Sequence, residues 1–102
     1  MDKRYAVKIA KKFSNEIKGF FPIEKVVLFG SFAKGTNHEW SDIDIAVVVK
    51  KFNFDFFEAY SKMGDVRFRL DLRIEPIIID KNKDYSGFLK TIYKEGIVVY
   101  SA

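Results

Sequence analysis

Apolar residues recur every third or fourth position from Tyr5 through Ile9, Phe13 and Ile17 to Phe20 or Phe21, the period of a helix with one buried stripe. Asp2 stands where an N-cap would accept a free amide, and Gly19 and Pro22 close the segment. Val26-Val27-Leu28-Phe29 is a short, β-branched-rich run ending at Gly30, which predicts a buried strand. Ser31 to Lys34 then predicts a short helix stopped by Gly35, and Thr36 to Trp40 a polar loop. Ile43 to Val49 is the strongest strand pattern in the chain, apolar on both faces as a central strand is. Phe56, Phe57, Tyr60 and Met63 predict a third helix between Asp55 and Gly64, packing its aromatics on the sheet. From Leu70 to Ile79 the pattern predicts a long strand, with Asp71, Arg73 and Glu75 alternating against Leu70, Leu72 and Ile74 before the apolar Ile77-Ile78-Ile79. Pro76 points to an edge position or a bulge. Asp84 is placed to cap a last helix with Tyr85, Phe88, Leu89 and Ile92 on one side and Gly96 at its end, and Ile97-Val98-Val99-Tyr100 predicts the final strand.

Helices and strands therefore alternate, which predicts an α/β chain of α+β type: a mixed sheet of about four strands flanked by helices. A length of 102 residues is that of one domain, residues 1–102, with little room for both a catalytic centre and a pocket for a large second substrate. Without cysteine there are no disulfides or thiolate metal sites, and with no signal-like opening or long apolar run the expected compartment is the cytoplasm, with no membrane partner. The net charge of +4 favours anionic partners without choosing among them. Lys3, Arg4, Lys8, Lys11, Lys12 and Lys18 are interleaved with the apolar stripe and read as the solvated side of the first helix rather than a nucleic-acid patch.

The chemistry concentrates in two short segments. Asp42 and Asp44, at the start of the strongest strand and one residue apart, point to the same side because strand side chains alternate. Two such carboxylates repel unless a hard cation lies between them, and Mg²⁺ favours a few carboxylates with phosphate oxygens and water. Upstream, Gly30 directly after a strand permits a sharp turn, and a following helix start aims free amides at an anion. Ser31 adds a hydroxyl, and Lys34 a point charge one helical turn later. Each signal alone has a structural reading, a plain turn or solvated carboxylates; in this order they reinforce each other. His38, the only histidine, reads as a solvated loop residue.

Gly30-Ser31-Phe32-Ala33-Lys34-Gly35 followed by Ser41-Asp42-Ile43-Asp44-Ile45 resembles the signature of the nucleotidyltransferase superfamily that includes DNA polymerase beta. The closer likeness is to the minimal nucleotidyltransferase (MNT) family, and it extends through Lys94-Glu95-Gly96-Ile97-Val98-Val99-Tyr100. The resemblance implies a nucleotidyltransferase core that passes a nucleotidyl group from a nucleoside triphosphate to a hydroxyl, with two Mg²⁺ ions held by three carboxylates. Asp42 and Asp44 would be the first two ligands and catalytic residues; Gly30, Ser31, Lys34 and Ser41 would bind the nucleotide. For the third carboxylate Glu75 is preferred, at about the family's distance from the final Glu-Gly, with Asp71 as the alternative. The loser of the two has a structural role open to it, an ion pair with Arg67, Arg69 or Arg73. Phe32 and Lys34 stand where many minimal members carry arginine, so bidentate phosphate contact is not expected there.

The resemblance further implies ATP as donor and a HEPN-family toxin as partner, with AMP passed to one of its tyrosines and this chain acting as antitoxin. Two other readings stay open: an antitoxin that neutralises its partner by contact alone, and a transferase acting on a nucleic-acid end or a small molecule. For the last, no basic or aromatic platform stands out beyond the first helix, and nucleic acid is not the expected substrate.

Overall fold

A computed structural model describes residues 2–84 and 86–102. Helix α1 (Lys3–Ile17) is followed by β1 (Lys25–Phe29), α2 (Ser31–Lys34), β2 (Ile43–Val49), α3 (Phe56–Leu70), β3 (Ile74–Asp80), a 3₁₀ turn at Lys81–Lys83, α4 (Phe88–Glu95) and β4 (Ile97–Ser101). The sheet order is β3-β2-β1-β4. β1 runs antiparallel to β2 and β4, while β2 and β3 are parallel, joined by the α3 crossover that a parallel pair requires. The predicted mixed four-stranded sheet is the one observed.

Every residue of β2 is buried except Asp44, which is half-buried. One face of the sheet presents Val26, Leu28, Ile43, Ile45, Val47, Val49, Ile74 and Ile78 to the stripe of α1 (Ala6, Ile9, Phe13, Ile17) and to Ala59, Met63 and Val66 of α3. The opposite face holds a smaller cluster, Val27, Ala46 and Ile92 with Phe29 and Ile79, besides the buried Val48. Helix α4 covers part of that face, and the side carrying Asp44 and Glu75 stays open.

Three expectations change. Helix α3 runs through Gly64 to Leu70, and β3 begins at Ile74 rather than Leu70. Asp71 ends the helix and turns the chain, its carboxylate accepting the Arg73 N–H at 2.9 Å. The aromatic stripe packs on the sheet only in part: Tyr60 lies against the core and its hydroxyl accepts the Ile78 N–H of β3 at 2.9 Å, and Met63 is buried, but Phe57 is 84% exposed and Phe56 46%. Last, α4 starts at Phe88 with Gly87 as N-cap; Asp84 still serves the helix start, its carboxylate accepting the Leu89 N–H at 3.0 Å. Tyr85, assigned to that helix from the sequence, lies outside the described residues. Pro76 sits on β3, an edge strand, where its missing N–H costs no ladder bond on the open side.

Candidate functional site

The glycine turn and the acids meet at one end of the open face. Phe29 pairs with Asp44 in the β1–β2 ladder, and Asp44 with Glu75 in the β2–β3 ladder. Residues directly opposite point the same way and stand roughly 5 Å apart, so Phe29, Asp44 and Glu75 form a row across three strands. Asp42 precedes β2 by one residue and shares the side of Asp44 by strand parity; it is exposed.

Gly30 ties the two motifs together. Its φ of 76° and ψ of −152° belong to a region open essentially to glycine alone. A Cβ at Gly30 would also fall on the Oδ2 of Asp44. The turn that opens α2 is therefore built against the metal-binding candidate.

Burial raises the pKa of Asp44 above the ordinary carboxylate range, and the negative charges of Asp42 and Glu75 raise it further. A carboxyl in this setting gains from a nearby cation, and three hard oxygen donors on one face suit Mg²⁺. They share the face without converging on one point. The Glu75 Oε1 leans to 4.0 Å from the Arg67 Nη2, and among the described residues no three acidic, histidine or cysteine side chains are gathered tightly enough to hold a metal ion.

Asp71 is engaged elsewhere. Its oxygens accept from Arg73 Nε at 3.1 Å, Arg73 Nη2 at 3.0 Å and the Tyr5 hydroxyl at 3.0 Å. Burial alone would raise its pKa; the Arg73 side chain and backbone, together with Tyr5, outweigh burial and hold it below the ordinary range. This network joins α1 to the α3–β3 turn.

Two other candidates also have partners. Lys34 Nζ lies 3.2 Å from the Glu95 Oε2 on α4, with both side chains about half exposed. Ser41 is buried, and its Oγ accepts the His38 N–H at 2.8 Å. His38 is exposed, its Nδ1 accepting the Trp40 N–H at 3.2 Å. The loop before Asp42 is thus stapled to itself and presents Trp40, 79% exposed, to solvent. A hollow of about 380 Å³ lined by Pro22, Ile23, Glu24, Lys50, Lys51 and Asn53 lies at the far end of β2 and includes none of these residues.

Residues 8–102 match the family described as polymerase beta, nucleotidyltransferase. The chain belongs to that family. This nucleotidyltransferase is 32% identical over 100 residues to a Methanocaldococcus jannaschii protein named as a protein adenylyltransferase, covering 91% of this chain and 96% of that one. A crystal structure from Sulfolobus solfataricus, named as a nucleotidyltransferase, superposes with a TM-score of 0.69 at 25% identity over 97% of this chain and 83% of the other. The same fold occurs in a toxin–antitoxin structure with AMP-PNP (TM-score 0.66, 21% identity, 94% and 73% covered). It occurs again in the complex of a tri-AMPylated Shewanella oneidensis HEPN toxin with an MNT antitoxin (TM-score 0.61, 17% identity, 98% and 73% covered).

Sequence reasoning about this nucleotidyltransferase did not assign Phe29 or Phe88 to the site. Phe29 read as the end of a buried strand, and Phe88 as one member of a helix stripe. Only the strand register shows that Phe29 stands opposite Asp44, and only the tertiary structure that Phe88 packs on Phe29.

Proposed function

We propose that this nucleotidyltransferase passes AMP from ATP to a tyrosine hydroxyl of a HEPN-family partner, acting in the cytoplasm as the antitoxin of a toxin–antitoxin pair. The observation that carries the reading is the row in which Asp44 stands in register with Glu75, beside Asp42 and against the Gly30 turn. The relatives named as protein adenylyltransferases, and the shared fold of the AMP-PNP and AMPylated-toxin structures, support the choice of donor and acceptor.

In this reading Asp42, Asp44 and Glu75 hold Mg²⁺, two ions being expected by resemblance. When bound, the metal supplies stabilisation of negative charge on the α-phosphoryl group and on the departing pyrophosphate. The Gly30–Ser31 turn lets the triphosphate approach the backbone closely, with the Ser31 hydroxyl as an added donor. Lys34 can exchange Glu95 for a phosphate oxygen at little cost, since such half-exposed ion pairs contribute about 0–1 kcal/mol. Ser41, buried and bonded to the His38 N–H, positions the loop that carries Asp42. Glu75, on an edge strand and exposed, is open to an approaching protein; it takes the proton as the acceptor oxygen bonds to the α-phosphorus and the bond to pyrophosphate breaks.

The test is to incubate the protein with labelled ATP and Mg²⁺, with and without the product of the neighbouring gene, alongside Asp42→Asn and Asp44→Asn. Label on the partner that both substitutions abolish is the expected result. A stable complex that never takes label would make this an antitoxin acting by contact alone, and label on RNA or a small hydroxyl compound would overturn the protein acceptor.

A further inference from the structure

The row across the open face continues beyond Asp44 on the β1 side. Phe88, the first residue of α4, meets Phe29 edge to face, with ring centroids 5.9 Å apart and an interplanar angle of 86°. Phe88 is 43% exposed, so the pair offers a ring to solvent instead of closing a core. Its position is fixed from behind: Asp84 accepts the Leu89 N–H, and Leu89 and Ile92 are buried. Gly30 follows Phe29 directly, so the candidate phosphate turn and the aromatic pair share the β1 side, while Glu75 faces the open β3 edge on the other.

On the reading proposed above, the donor takes the β1 side and the acceptor the β3 side. A base tethered through its ribose to a phosphate at Asp44 then lies within reach of Phe29 and Phe88. We infer that Phe88, braced by Phe29, is the ring on which the base of the donor nucleoside triphosphate stacks. The inference rests on that reading and goes beyond it, assigning the base a site on this chain. Because every base has a π-face, stacking adds affinity with little choice between bases. Selectivity for ATP would have to come from elsewhere.

The experiment is calorimetric titration, in Mg²⁺, of wild type, Phe88→Leu, Phe88→Trp and Trp40→Ala with AMP-PNP and with inorganic tripolyphosphate, and a thermal melt of each. Leucine keeps an apolar contact to Phe29 but has no aromatic face. Phe88→Leu is expected to weaken AMP-PNP by about tenfold or more and to leave tripolyphosphate unchanged. Phe88→Trp should bind AMP-PNP at least as well as wild type. Unchanged AMP-PNP affinity in Phe88→Leu overturns the inference. So does equal loss of both ligands, which would mean a displaced helix, or a selective loss in Trp40→Ala, which would move the base to the loop. Wild type that binds neither ligand overturns the underlying reading as well, and does so before any variant is examined.

Discussion

Asp71 and Glu75 stand four positions apart on the chain and end in opposite surroundings. Asp71 is tied to Arg73 and Tyr5, and Glu75 faces solvent beside Asp44. Asp71→Asn should therefore cost stability, about 1.5–3 kcal/mol for hydrogen bonds to a charged group, and leave the transfer rate near wild type. Glu75→Gln should do the reverse, melting near wild type while losing on the order of a hundredfold or more in rate as general base. Equal rates for the two variants would remove Glu75 from the chemistry. The pair Asp42 and Asp44 was legible in the sequence because strand parity alone puts them on one side. For the third acid the sequence preferred Glu75 over Asp71 without deciding between them, because the choice depends on where the strand begins, and that is a tertiary fact. The acids also differ in their response to pH. The carboxyl of Asp71 is held low, so its contribution is present above the ordinary value near 3.9 and is lost as pH falls through the lower folded value. The carboxyl of Asp44 is held high, so the sign reverses: its contribution is full below that ordinary value and is lost as pH rises through the folded one. Asp44→Asn should thus melt above wild type at neutral pH in a chelator, with the gap narrowing below about pH 4, while abolishing transfer. A variant that melts below wild type at pH 7 would contradict this account of Asp44.

Between Val66 and Ile74 two periods compete in the same residues. Val66, Phe68, Leu70, Leu72 and Ile74 alternate perfectly with charged residues, which reads as strand, whereas Ala59, Met63, Val66 and Leu70 recur at helical spacing. The helix prevails because its stripe docks on α1 and the sheet, and because Asp55 caps its start by accepting the Glu58 N–H at 2.9 Å. The outcome is visible in what stays outside: Phe68 is 77% exposed and Leu72 60%. Where no second period competed, in α1, β1, β2 and β4, the pattern of apolar positions located the element closely. Gly64 misled the boundary of α3, since glycine near a predicted end suggests a stop, yet here it is interior and solvent-facing. A Cβ at Gly64 meets nothing within 4 Å, and its φ is not positive. Gly64→Ala should therefore stabilise the protein by about 0.5–1 kcal/mol, partly by reducing the freedom of the unfolded chain. Urea titration with an unchanged m-value would check it; a loss of stability would mean that α3 bends or opens at that point.

The two faces of the sheet divide the labour of the molecule. Helices α1 and α3 seal one face into the main core, and that core fixes β1, β2 and β3 in the register that sets Phe29, Asp44 and Glu75 side by side. The other face carries a smaller apolar cluster around Val27, Ala46 and Ile92; there Asp44 and Glu75 stand on strands, and Asp42 one residue before β2. Three carboxylates on that face also repel a triphosphate, and at the short separations of such a site the repulsion is not removed by ordinary salt. Nucleotide binding and metal binding must then be linked: each should be weak without the other. Bound ligand stabilises the native state by mass action, about 2.7 kcal/mol at a hundred times the dissociation constant, enough to move the melting temperature by several degrees in a chain of this length. Melts in chelator with AMP-PNP should show no shift, Mg²⁺ alone a small one, and Mg²⁺ with AMP-PNP a shift larger than the sum of the two. Asp44→Asn should lose that excess even though it begins from a higher melting temperature at neutral pH. An AMP-PNP shift that survives the chelator would place the nucleotide away from the acids, and the open face would lose its claim to the chemistry.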